Sequence, residues 1–244
     1  MTGASISSDS GIQAVGDINY GTHFCQFYRT RQDLRDVLVP YFVAGLRNEE
    51  YCMWVTSEPF GAEEAEAMMR EAMPDFSDRL ARGQIEIWDY MDWYLANGGR
   101  PAQVLQGWID REKRALDRGY TGLRLTGNTF WVERGVWDEF VAYESEVNRA
   151  FGQYRIIGLC TYCLDRCRAE DVLDVCRNHQ FALTRREGEW ELIESSSLKI
   201  AKEELARVNL GLEQRVAERT RALEEALAGR DEFLAMLGHE LRNP

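Results

Sequence analysis

The sequence lacks what several function classes require. No apolar run approaches the roughly 18–20 residues that cross a bilayer as a helix, so no membrane partner is expected. The opening, MTGASISSDSGIQAVGD, has neither the basic start nor the apolar block of a secretory signal. Positive charge is in deficit: 29 Lys and Arg stand against 41 Asp and Glu, a net charge of −12. Binding to nucleic acid or to an anionic membrane by simple electrostatics is therefore not expected. Neither GxGxxG nor GxxxxGK[ST] occurs, so the two common glycine-rich phosphate cradles are missing. Together these absences imply a cytoplasmic protein. Its six cysteines are then expected as reduced thiols or ligands, not structural disulfides.

Material for a core is plentiful, with 45% hydrophobic residues and seven tryptophans. Residues 1–19, rich in Ser and Gly, read as a flexible lead-in. "THFCQFYRT" then reads as a buried strand. A helix follows, with Leu34, Val37, Leu38, Tyr41, Phe42 and Leu46 at helical spacing and Pro40 expected to kink it. "EYCMWVTSE" is of strand length, "GAEEAEAMMREAM" is helical, and "GQIEIWDYMDWYL" begins as a strand. Residues 101–118 and 136–151 read as helices on either side of the strand "GLRLTGNTFW". "YRIIGLCTYC" is a strand, "RAEDVLDVCRNH" a helix, and "FALTRR" with "EWELIE" a hairpin turning at Glu187-Gly188. Strands alternating with helices predict an α/β domain over residues 20–193, its mostly parallel sheet covered on both faces.

Parallel sheets bind ligands beyond the carboxyl ends of their strands. Here those ends supply Phe27, Tyr28, Thr56, Glu58, Trp88, Tyr90, Asn128, Trp131 and Tyr162 as ligand-binding candidates, an aromatic rim with a few polar groups. For any single one of these aromatics, packing in the core is the simpler account. The thiols pose a separate question. Cys160, Cys163 and Cys167 are dense enough to ligate zinc or an iron–sulfur cluster. Cys176 and His179 sit i, i+3 on the next helix, and His23 and Cys25 share one face of the first strand. Against a metal, only one CxxC knuckle exists, and Cys25, Cys52 and Cys160 lie in apolar strands where cysteine behaves as a small hydrophobe. Structural thiols, a metal centre and a reversible redox pair all remain open on sequence alone.

Composition changes near residue 194. Leu198, Leu205 and Leu212 fall seven apart with Ala201 and Val208 between them, and Val216, Leu223 and Leu227 continue the seam after a four-residue stutter. Abundant Glu, Arg and Lys elsewhere on the helix fit a coiled coil over 194–230 and hence a parallel homodimer. The competing account is a solvated single helix docked on the domain.

Residues 231–244, DEFLAMLGHELRNP, resemble the H-box of HisKA-type sensor histidine kinases, F-x-x-x-x-x-H-E-[LI]-R-[NT]-P, at every characteristic position from Phe233 to Pro244. The resemblance implies that His239 is a phosphoacceptor, that Glu240 is its acid/base partner, and that Pro244 bends the helix after the site. It also implies an ATP-binding kinase domain, with ATP and magnesium, beyond residue 244, and a response-regulator receiver domain as partner. In that reading the chain is a sensor fragment that carries no kinase activity of its own. The alternative is a non-catalytic ligand-binding or metal/thiol redox-sensing dimer whose H-box is vestigial.

The stretches "GTHFCQFYRTRQDLRDVLVPYFVAGLRNEEYCMWVTSEP", "GLRLTGNTFW" and "GLCTYCLDRCRAEDVLDVCRNH" resemble the MEDS sensory domains of methanogen and methylotroph regulators. That resemblance implies a RecA- or KaiC-like fold and a small ligand, a hydrocarbon derivative. Nucleotide is not expected in this domain. After the strand "CMWVTSE", where the reading places an ATPase's phosphate loop, stand Glu58, Glu63 and Glu64 and no lysine.

Overall fold

Runs of β-branched and aromatic residues form one sheet of seven strands in the computed structural model, which describes residues 7–96, 100–128, 137–194 and 196–240. The strands are β3 (His23–Tyr28), β4 (Tyr51–Thr56), β5 (Ile85–Asp89), β6 (Leu123–Asn128), β7 (Ile156–Cys163), β8 (Phe181–Arg186) and β9 (Glu189–Glu194). Their order is β5-β4-β6-β7-β3-β8-β9, parallel except for the β8–β9 hairpin. Every residue of β3 and β4 is buried, as strands covered on both faces require. The hairpin turns where the sequence predicts: Glu187 (φ 51°) and Gly188 (φ 91°) both adopt the left-handed backbone that suits a two-residue turn.

Helices α1 (Arg31–Arg47), α2 (Ala62–Ala72) and α3 (Phe76–Ala81) pack on one face, burying Leu34, Val37, Phe42, Met68, Met69 and Phe76. Helices α4 (Tyr90–Ala96), α5 (Pro101–Asp117), α6 (Trp137–Phe151) and α7 (Ala169–Asn178) cover the other, with Trp93, Trp108, Phe140, Tyr143, Val147 and Val175 in its core. The sequence reading ended a helix near Met73 and missed α3, a six-residue helix held by its buried Phe76. Helix α1 starts with a reciprocal cap. Thr30 Oγ1 accepts from Asp33 N at 3.1 Å, and the Asp33 carboxylate accepts from Thr30 N at 2.9 Å.

The expected flexible lead-in is ordered from Ser7 onward. Strands β1 (Ser7–Asp9) and β2 (Asp17–Asn19) pair antiparallel, and the reason is Arg124, a buried cation on β6. Its guanidinium donates to Asp9 O (2.8 Å), Ser10 O (3.1 Å) and Tyr41 O (2.8 Å), and pairs with the buried Glu50 carboxylate. Gly45 leaves the space this side chain needs, since a Cβ there would meet Arg124 Cδ at 2.6 Å. The Ser/Gly composition of the segment hides this tether, because the partner lies more than a hundred residues away.

A second unit begins at Ser196, where α8 (Ser196–Glu240) runs as one helix of 45 residues. On it Leu205, Val208, Leu212, Val216, Leu223 and Leu227 are exposed. Among the described residues no helix is long and apolar enough to cross a membrane.

Candidate functional site

Strand order locates the crevice. From β3 the chain crosses toward β4 on one side, whereas from β7 it crosses to β8 on the other. The connections leaving β4 and β6 part to opposite faces of the sheet, and so do those leaving β3 and β7, so one topological switch point opens between the carboxyl ends of β4 and β6 and another between those of β3 and β7. There Tyr28 pairs in register with Cys163, and Arg29 Nη1 meets Asp165 Oδ1 at 2.9 Å across the exposed mouth. Burial pushes the Tyr28 phenol well up, with Cys163 adding to it. Cys167, half-buried on the following turn, is pushed up to about 11 by burial, then by Asp171 and Cys163. The position taken from sequence for the phosphate loop, after β4, lies at the other switch point.

The rim residues expected from sequence lie at or beside strand ends. Phe27, Tyr28, Thr56 and Tyr162 are buried, Trp88 and Tyr90 are half-buried, and Glu58 is exposed. Phe27 packs on Tyr162 with ring centroids 5.8 Å apart, and Thr56 Oγ1 donates to Trp88 O at 3.0 Å. Trp93 joins Trp88 and Trp108, and the Arg111 guanidinium lies 4.2 Å over the Trp93 ring. Asn128 ends β6, and Trp131 lies outside the described residues. A separate cavity of about 370 Å³ opens near the amino ends of β4 and β5, between Tyr51, Glu86, Arg111, Arg114 and Arg118.

The three cysteines that the sequence offers as a candidate ligand set are not gathered by the structure. Side chains three apart on a strand point to opposite faces, so Cys163 packs toward the α1 face and Cys160 toward α6 and α7. Cys160 keeps different company. Among the described residues, His23, Glu144, Cys160 and His179 form a buried cluster whose candidate donor atoms all lie within 4.8 Å of one another. His23 Nε2 is 3.2 Å from Cys160 Sγ and 3.6 Å from Glu144 Oε2, while His179 Nε2 is 3.2 Å from the same carboxylate oxygen.

Four elements assemble this cluster. His23 opens β3, Cys160 lies in β7, Glu144 is on α6, and His179 caps the end of α7. Glycine makes the room. A Cβ on Gly158 would meet Phe151 at 2.5 Å and His23 at 3.5 Å, and one on Gly127 would meet Cys160 Sγ at 3.2 Å. The His179 Nδ1–H donates to Val175 O at 2.8 Å, which fixes its tautomer and turns Nε2 inward. Tyr162 donates its hydroxyl to Glu144 Oε2 at 3.3 Å. Burial, then the neighbouring His179, holds the His23 imidazole well below its ordinary pKa, and therefore neutral. Burial, then Glu144, pushes the Cys160 thiol well up. A cavity of about 20 Å³ adjoins Glu144 and Cys160, space for one water. The sequence reading singled out His23, Cys160 and His179 but missed Glu144. The available signal was an acid inside the apolar stripe Phe140, Tyr143, Val147 and Phe151.

Comparison with protein families finds a match over residues 22–180 to MEDS, the methanogen/methylotroph, DcmR sensory domain. Among solved structures, a KaiC-like protein from the hyperthermophilic archaeon Pyrococcus horikoshii is similar, with a TM-score of 0.52 and 16% identity. The alignment covers 78% of this chain and 85% of that one, and at such identity the likeness is one of fold. Comparison with curated proteins finds no match.

Proposed function

The chain belongs to the MEDS family of sensory domains, and from that premise we propose that it is the cytoplasmic input region of a two-component sensor histidine kinase. A small ligand, a hydrocarbon derivative, binds the sensory unit at the strand-end crevice. The signal passes along α8, paired with its copy in a parallel homodimer, to the phosphoacceptor His239. The observation that carries this reading is one of continuity. The helix that begins at Ser196, two residues after the last strand, carries the heptad leucines and runs on to His239 and Glu240 without a break. The H-box residues Phe233, His239, Glu240, Leu241, Arg242, Asn243 and Pro244 follow in sequence, the last four outside the described residues.

The chemistry suits the residues. A neutral imidazole offers a nucleophilic nitrogen near pH 7, and the adjacent Glu240 carboxylate orients it or takes its proton as the phosphoryl group arrives. ATP and magnesium belong to a kinase domain acting on this histidine, and a receiver domain takes the phosphoryl group onward. In a protein joined to its kinase core, His239→Gln abolishes phosphoryl incorporation from ATP, and Glu240→Gln slows it while the fold is retained. Phosphate appearing on another residue of the His239→Gln protein overturns the assignment.

A further inference from the structure

We propose that His23, Glu144, Cys160 and His179 bind one divalent transition-metal ion of the zinc, cobalt or iron(II) class. The donor set is the first argument: two imidazoles, a thiolate and a carboxylate suit these metals and not magnesium or calcium, which prefer oxygen alone. Geometry is the second. Bonds of about 2.0–2.3 Å around a tetrahedral ion place neighbouring donors about 3.3–3.7 Å apart. The cluster shows 3.2 Å, 3.6 Å and 3.2 Å along three of the six edges and holds all four donors within 4.8 Å, so an ion draws the wider pairs in by no more than about 1.5 Å.

Unmet bonding is the third argument. Buried polar atoms nearly always find a partner. His179 Nε2 is fully buried, lies 3.2 Å from Glu144 Oε2, and among the described residues meets no atom in hydrogen-bond geometry. The Nδ1–H bond to Val175 O leaves that Nε2 as a lone pair facing a carboxylate oxygen, two acceptors with no proton between them. A cation between them resolves the conflict. The same second-shell bond is the one that orients metal-binding histidines. Charge closes as well. One Glu144 carboxylate and one Cys160 thiolate neutralise a divalent ion, and the thiol proton released on binding passes to water. The site is independent of phosphoryl transfer at His239 and stands whether or not α8 signals.

The test is a cobalt(II) titration of the full chain after treatment with chelator. The wild-type chain is expected to bind one equivalent and to develop a thiolate-to-cobalt charge-transfer band with tetrahedral visible bands. Cys160→Ser is expected to lose the charge-transfer band, whereas Cys163→Ser and Cys167→Ser keep it. His179→Gln and Glu144→Gln are each expected to weaken binding by more than about 100-fold, beyond the cost of losing an outer-shell partner. Far-ultraviolet circular dichroism checks each variant for folding. If Cys160→Ser fails to fold, the near-isosteric Glu144→Gln decides the matter, through loss of the rise in melting temperature that metal gives the wild type. A folded wild-type chain that takes up no stoichiometric cobalt overturns the proposal. So does a charge-transfer band that survives Cys160→Ser, or cobalt affinity unchanged in both His179→Gln and Glu144→Gln.

Discussion

Arg124 and Glu50 form an ion pair with neither side chain exposed, and the pair ties three separate pieces of chain together. The guanidinium reaches the backbone of β1 and α1, while Glu50 Oε1 accepts from Ser8 Oγ at 2.6 Å and from Tyr20 Oη at 2.9 Å. Removing one partner of a buried pair strands the other charge, at a cost of about 3–5 kcal/mol. Arg124→Met is therefore expected to lower the free energy of unfolding by that amount, read as a lower urea midpoint, and to open the β1–β2 hairpin to protease. Arg124→Met with Glu50→Gln should recover part of the loss, because no unpaired charge remains. A midpoint unchanged in the single variant would show that the pair does not hold the hairpin. None of this was legible in sequence, where Arg124 sits in the apolar run GLRLTGN and Glu50 in a turn. The metal-ligating candidates were half legible. Histidine and cysteine stand out in any sequence, but Glu144 is one acid among 41 acidic residues and only the fold selects it.

At the scale of elements the periodic pattern did more. Strand ends such as Tyr28 and Thr56 fall where the sequence reading put them, because burial on both faces leaves an apolar run with sharp limits. Short elements escaped it. Helix α3 is too brief to show a helical period, and the hairpin at residues 7–19 has its apolar partners elsewhere in the chain. Helix α8 is the opposite case, periodic throughout but with its seam facing solvent. Leu205 is 61% exposed and Leu212 46% exposed. Burying each in a proposed parallel dimer would contribute about 1.5–3 kcal/mol. Leu205→Asp with Leu212→Asp is thus expected to convert dimer to monomer by light scattering, with the sensory unit still folded. A double variant that stays dimeric would move the interface to the sensory unit.

For the whole molecule, the fold is similar to that of a KaiC-like protein, and the resemblance read from sequence raises the question whether a nucleotide site has survived in it. Sequence alone placed that site after β4, although neighbour order in a parallel sheet cannot be read from one chain. The strand order gives one switch point there, beside β6, and a second at the end of β3, beside β7. The connection there is two residues, Arg29 and Thr30, with no glycine. A phosphate cradle needs several backbone N–H groups turned inward on a wider loop, ahead of a helix start left free for the anion. Here the α1 start is already taken. Asp33 Oδ2 accepts from Arg29 N at 3.1 Å and from Thr30 N at 2.9 Å. Burial pushes the Asp33 pKa up, but those amides and Arg185 outweigh it, so the carboxyl is held below its ordinary value and is ionised at neutral pH. The Asp33 carboxylate holds the amides at the start of α1 and would repel a phosphate brought there. The neighbouring loop adds Glu58, and α2 starts with Glu63 and Glu64. Titration calorimetry with magnesium and ATP is therefore expected to show no saturable binding to this chain up to about 1 mM, a free energy no stronger than about −4 kcal/mol. Micromolar, magnesium-dependent binding would mean that the Asp33 cap opens to admit phosphate. In that case Asp33→Asn should tighten the affinity further.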